Sequence, residues 1–103
     1  PTSMAAEFET RCNYIVDRLN AMPGVQCHHP KGAIYVFPKV DVPGMNSEEV
    51  AMELLKDGVL CSPGSAFGPS GEGHLRFAYT IGLEDIARGM DKVESTLRRL
   101  QNS

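Results

Sequence analysis

No segment of this 103-residue chain stays apolar for the ~20 residues needed to cross a bilayer, and no basic-then-apolar leader opens it. Neither a membrane span nor a secretory signal is expected. Lysine and arginine nowhere cluster and the net charge is −3, which argues against nucleic acid or an anionic membrane as the main partner. Cysteine is scarce and odd in number. Cys12, Cys27 and Cys61 are widely spaced within apolar patterns, so reduced, buried thiols in a cytoplasmic protein are expected rather than a disulfide framework. Repeats and low-complexity stretches are also missing. What remains is an ordinary composition, 42% hydrophobic, able to bury roughly 65% of its unfolded surface in one modest core. Residues 1–103 are therefore expected to form a single domain.

Phe8, Cys12, Ile15, Val16, Leu19 and Met22 follow the spacing of an amphipathic helix over residues 3–22. Pro23-Gly24 stops it, because the residue before a proline is pushed out of the helical region. "VQCHH" reads as a short strand, "PKG" as a turn and "AIYVFPKV" as a second strand. In that second strand Ala33, Tyr35 and Phe37 share one face and Ile34 and Val36 the other, so both faces are apolar. Asn46 with Glu49 three residues later forms a capping-box signature. The helix that follows ends at Gly58. "VLCS" and "HLRFAYT" read as strands three and four. Leu83, Ile86, Met90, Val93, Leu97 and Leu100 mark a final helix, with Glu84/Arg88 and Glu94/Arg98 paired at i, i+4.

The expected order is thus α-β-β-α-β-β-α: an α+β two-layer sandwich, with a small sheet of about four strands and helices on one face. Leu75, Phe77 and Tyr79 should meet the helices. Arg76 and Ala78 then fall on the opposite face, together with Ile34 and Val36. No element of this chain is left to cover that second face, so something outside it is expected to do so.

"SPGSAFGPSGEG" is rich in glycine but carries no lysine after the glycines and leads into a strand. It lacks the helix N-terminus that holds phosphate in a P-loop or a dinucleotide fold. Its glycines and prolines instead suggest a connection lying close to another backbone. His28 and His29 are adjacent, so in a strand they point apart, and His74 has no second ligand at a recognisable spacing; no metal site is expected. Glu48-Glu49 and Glu84-Asp85 lie in first helical turns, where they complement the helix dipole. The serines have no nucleophile-elbow context.

Arg76 is different. Inside a strand between apolar neighbours its five donors must be satisfied. It either pairs with an acid of the same fold or presents a rigid two-point fork to a ligand carboxylate.

"HPKGAIYVFPKV", "VLCSPGSAFGPSGEGHLRFAYT" and "RCNYIVDRLNAMPGV" together resemble the C-terminal small domain of class I/II aminotransferases, fold-type I enzymes dependent on pyridoxal phosphate. The resemblance runs from Phe8 to Leu100 and rests on P-x-G-A-x-Y-x-F-P, P-G-x-x-F-G and G-x-x-R-x-x-[AY] in combination. It implies that Arg76 grips the substrate α-carboxylate and that Gly32, Ala33 and Ile34 line the substrate pocket; many relatives carry an aromatic residue where this chain has Ile34. It implies that residues 63–68 help to place Arg76.

The resemblance further implies transfer of an amino group between an amino acid and a 2-oxo acid, in a cytoplasmic homodimer. Pyridoxal 5'-phosphate would be held by a lysine of a large domain upstream. None of Lys31, Lys39, Lys56 and Lys92 lies in that lysine's motif. No catalytic residue, cofactor ligand or metal ligand is therefore expected within these 103 residues, and the chain alone is expected to be inactive. Other fold-type I enzymes (C–S lyases, cyclopropane-carboxylate synthases) and aminotransferase-like regulator domains share the arginine and remain alternatives. A stand-alone α+β amino-acid-binding module is another.

Overall fold

The computed structural model describes residues 2–30, 35–78 and 83–102. Helix α1 (Thr2–Asn20) stops two residues short of the expected end; Met22 is tucked under the turn that follows, its amide donating to the Leu19 carbonyl at 3.0 Å. Gly24 then takes φ 75° and turns the chain into β1 (Val25–Gln26). β2 (Tyr35–Val36) and β3 (Lys39–Val40) follow, then α2 (Ser47–Lys56), β4 (Ser62–Pro63), two 3₁₀ turns (Gly64–Phe67 and Pro69–Gly71), β5 (Leu75–Ala78) and α3 (Leu83–Gln101).

The fold is α+β, but the described strands form two small antiparallel sheets rather than one sheet of four strands. One pairs β1 with β3, matching Val25 to Val40; the other runs β2-β5-β4, matching Val36 to Phe77 and Ser62 to Arg76. The single strand expected over "AIYVFPKV" is split at Phe37-Pro38. Proline has no amide hydrogen to give to a ladder. The Pro38 carbonyl still accepts from the Leu75 amide at 3.1 Å, and beyond it the chain leaves β5 for β1. A bridge between Lys39 and His74 joins the two sheets. The strand expected at "VQCHH" is likewise only Val25–Gln26 long.

The helices follow their sequence signals closely. Asn46 caps α2, accepting from the Glu49 amide at 2.8 Å while Glu49 accepts from the Asn46 amide at 2.9 Å. Such a cap is worth ~1 kcal/mol. At the other end Asp57 accepts from the buried Thr96 hydroxyl at 2.5 Å and from Arg99 at 3.2 Å, tying α2 to α3. These bonds, that from Thr96 foremost, hold the Asp57 carboxyl below the usual carboxylate range. Arg18 links α1 to α3 through Asp91 at 2.8 Å and Glu94 at 3.4 Å. Glu94 pairs with Arg98 as expected, whereas Arg88 pairs with Asp85, three residues away, instead of Glu84.

Ile15 and Leu19 of α1, Leu54 of α2, and Val93 and Leu97 of α3 close over Val36, Leu75 and Phe77. Each such side chain contributes about 1.5–3 kcal/mol on burial. Leu75 and Phe77 therefore meet the helices, as the alternation of β5 requires. Val36 corrects the expectation for β2: it is fully buried opposite Phe77, while Tyr35 and Phe37 stand on the open face with Arg76. Where both parities of a strand are apolar, alternation cannot say which parity faces the core. The cross-strand register decides it.

The glycine-rich connection does lie close to another backbone, namely its own. Gly64 and Gly71 are buried against each other across the two 3₁₀ turns. A Cβ on Gly64 would overlap the Gly71 carbonyl and come within 2.6 Å of the His74 carbonyl.

Candidate functional site: the open face around Arg76

β5 presents Leu75 and Phe77 to the core and Arg76 to the opposite face, where it is half-buried. Its guanidinium carbon lies 4.2 Å from the ring centre of Tyr35 and 4.6 Å from that of Phe67. Tyr35 comes from the neighbouring strand β2, and Phe67 from the end of the first 3₁₀ turn. Phe37 completes the group, edge-on to Phe67 at 6.0 Å and stacked on His74 at 4.9 Å. Two rings thus flank one cation, and two more extend the cluster beside them, on a sheet face that the helices leave uncovered. Tyr35, Phe37 and Phe67 remain 38%, 41% and 49% exposed, far more than large aromatic side chains in a closed core.

The other arginines mark the contrast. Arg11, Arg18, Arg88, Arg98 and Arg99 each pair with a carboxylate. Among the described residues no carboxylate pairs with Arg76. Ring faces attract a cation through their quadrupole without accepting its in-plane N–H bonds. Within the described residues the guanidinium is held by aromatic faces, and no carboxylate takes its donors.

Phe67 is positioned by an anchored connection. The Glu72 carboxylate accepts from the Ser47 amide at 2.8 Å, the Ser47 hydroxyl at 3.0 Å and the Gly73 amide at 2.9 Å. The bond from the Ser47 amide is the leading cause that keeps this carboxyl below the usual carboxylate range. Gly64 donates to the His74 carbonyl at 2.7 Å, and the Ser65 amide reaches the Ser47 hydroxyl at 3.4 Å. The first turn of α2 and the start of β5 together hold the segment that carries Phe67.

Of the residues singled out from sequence, Arg76 lies at this centre, while Gly32, Ala33 and Ile34 lie outside the described residues. Tyr35 and Glu72 are not among those singled out. Phe67 falls within the segment 63–68 expected to help place Arg76, but its contact with the guanidinium is visible only once the strands are paired.

The other candidates hold no comparable chemistry. His28 and His29 lie beyond β1, and His29 Nε2 sits 2.5 Å from Asn13 Oδ1. Among the described residues no group of histidine, cysteine and acidic side chains could hold a metal ion. Cys12, Cys27 and Cys61 are free; burial pushes the Cys27 and Cys61 thiols up to about 11. A groove of about 370 Å³ between α3, β5 and residues 58–60, lined by Ile15, Leu60, Phe77, Ile86 and Met90, presents no basic group among the described residues. Among the described residues no helix is long and apolar enough to cross a membrane.

Pyridoxal phosphate does not fit the described residues of this chain. Its imine needs a sheltered amine, and Lys39, Lys56 and Lys92 are all exposed, Lys56 being paired with Glu53 at 3.0 Å. Lys31 lies outside the described residues.

No family model matches the chain. Individual proteins do. It is 40% identical over 97 residues to a putative aminotransferase, YugH, of Bacillus subtilis, covering 93% of this chain and 25% of that protein. To an aspartate aminotransferase of Pyrococcus horikoshii it is 41% identical over 95 residues, covering 91% and 24%. Among solved structures, an alanine aminotransferase from Pyrococcus furiosus superposes with a TM-score of 0.90 at 34% identity, over 95% of this chain and 25% of that one. An aromatic aminotransferase from Pyrococcus horikoshii superposes at 0.88 with 35% identity, over 95% and 26%. The chain spans about a quarter of the length of the relatives it matches.

Proposed function

The chain is homologous to the small C-terminal domain of the fold-type I aminotransferases, and on that footing we propose that it forms one wall of such an enzyme's substrate site. Arg76 is the residue of that wall that binds the α-carboxylate of the amino acid, and later of the 2-oxo acid. One observation carries this assignment: a guanidinium on a rigid strand, on an uncovered sheet face, paired with rings and with no carboxylate among the described residues. Gly32, Ala33 and Ile34, which precede Tyr35 in the chain, line the same pocket in this reading.

Residues 1–103 act as one domain beside a large upstream domain that binds pyridoxal 5'-phosphate, the electron sink of the reaction. The enzyme works as a cytoplasmic homodimer, and the chain by itself is inactive. Arg76 contributes by orientation: a two-point grip fixes the substrate relative to the reacting centre without moving a proton. Its in-plane donors cannot be replaced by one ammonium.

Arg76→Lys in the enzyme that carries this chain tests the assignment. A charged hydrogen bond is worth about 1.5–3 kcal/mol, so kcat/KM should fall by roughly 10- to 150-fold. Turnover near that of the unaltered enzyme would refute the clamp.

A further inference from the structure

We propose that Tyr35 and Phe67 are positioning residues for carboxylate binding, acting through Arg76 by holding its guanidinium over their ring faces. The inference rests on the proposed role of Arg76 and adds to it the origin of the arginine's order. An arginine free in solvent samples many rotamers, and fixing one on binding costs affinity. Surface arginines of this chain are restrained by carboxylates, as Arg98 is by Glu94 at 2.9 Å. A carboxylate restraint at Arg76 would occupy the fork that a ligand needs. Two ring faces at 4.2 and 4.6 Å restrain the cation, and among the described residues no carboxylate occupies its edge.

The supports of the two rings differ. Tyr35 is fixed by β2, whose register against β5 is set by Val36 opposite Phe77. Phe67 is fixed by the turn that Glu72 and Ser47 anchor, and by its edge-on contact with Phe37. The arginine is thus ordered from two independent elements, and both rings are exposed enough to be altered without opening the core.

The test is a series at position 67 in the enzyme that carries this chain: phenylalanine, mono-, tri- and pentafluorophenylalanine, and Phe67→Leu. Fluorination drains the negative ring face while nearly preserving shape, so folding is maintained even if Phe67→Leu proves unstable. The readouts are KM for the amino acid, kcat, and the inhibition constant of propionate, a carboxylate with no amino group. Restoring the cost of ordering one side chain should raise KM and the propionate constant by roughly 2- to 12-fold. The rise should follow the fluorine count and leave kcat unchanged. Tyr35→Leu should act likewise, and Tyr35→Phe, which keeps the ring, should not. In an Arg76→Met background, which removes the cation, the fluorine series should become flat.

A flat series in the unaltered background, with Arg76→Lys still losing affinity, overturns the ring role and leaves the arginine's role standing. If Arg76→Lys is also without effect, the carboxylate assignment itself fails.

Discussion

Gly64→Ala isolates the close approach that shapes the site's supporting turn. Gly64 does not occupy the left-handed region, so the substitution introduces no φ strain. Its added Cβ would overlap the Gly71 carbonyl and lie 2.6 Å from the His74 carbonyl, both backbone groups that no rotamer change can move. Either the two 3₁₀ turns separate or the hydrogen bond from the Gly64 amide to His74, at 2.7 Å, is lost. Overpacking of this kind costs about 1–3 kcal/mol. A lost backbone hydrogen bond adds about 0.5–1.5 kcal/mol. The expected destabilisation is therefore about 1.5–4.5 kcal/mol, which at an m-value of about 1.5 kcal/mol per M moves a urea midpoint by roughly 1–3 M. Gly44→Ala is the control. Gly44 has φ 84° with no atom near its would-be Cβ, so only backbone strain of about 1 kcal/mol applies. Urea unfolding followed by circular dichroism compares the two. If Gly64→Ala proves no worse than Gly44→Ala, the turn is not held by the Gly64–Gly71 approach and the account of how Phe67 is placed is wrong.

Glu72 titrates lower in the fold than in the unfolded chain, so its contribution is present above the ordinary carboxylate value and is lost as pH falls through the lowered one. The stability gap between the unaltered chain and Glu72→Gln should thus be widest near neutral pH and narrow in acid. A gap independent of pH in denaturant titrations would contradict the Ser47 and Gly73 bonds. Burial and raised pKa values should make the Cys27 and Cys61 thiols slow to alkylate at pH 8. Iodoacetamide labelling read by mass spectrometry should be slow at both and slowest at the buried Cys27, and rapid labelling of the folded chain at Cys27 would count against its packing.

Much of this architecture is legible in the sequence, for reasons that differ by element. The helices are read well because period and caps agree: Asn46 and Glu49 form the expected reciprocal bonds, and Ile86, Met90, Val93 and Leu97 are all buried. The face of β5 is legible because a charge alternates with Leu75 and Phe77. The face of β2 is not, since Val36 and its aromatic neighbours are all apolar and only pairing with Phe77 separates them. Pro38 signals a break in principle, yet where the chain goes next depends on β1, which precedes it by more than ten residues. Arg76 stands out from sequence as a cation needing partners. That its partners are rings depends on bringing residues 35, 67 and 76 together, which no local pattern encodes.

The most direct test of the central claim is a crystal structure of the enzyme that carries this chain, with a substrate-like carboxylate bound. Two nitrogen atoms of Arg76 should lie at about 2.7–2.9 Å from the two carboxylate oxygens, with the guanidinium still over Tyr35 and Phe67. A carboxylate gripped by other side chains, with Arg76 turned away or paired to an acid of the protein, would contradict it.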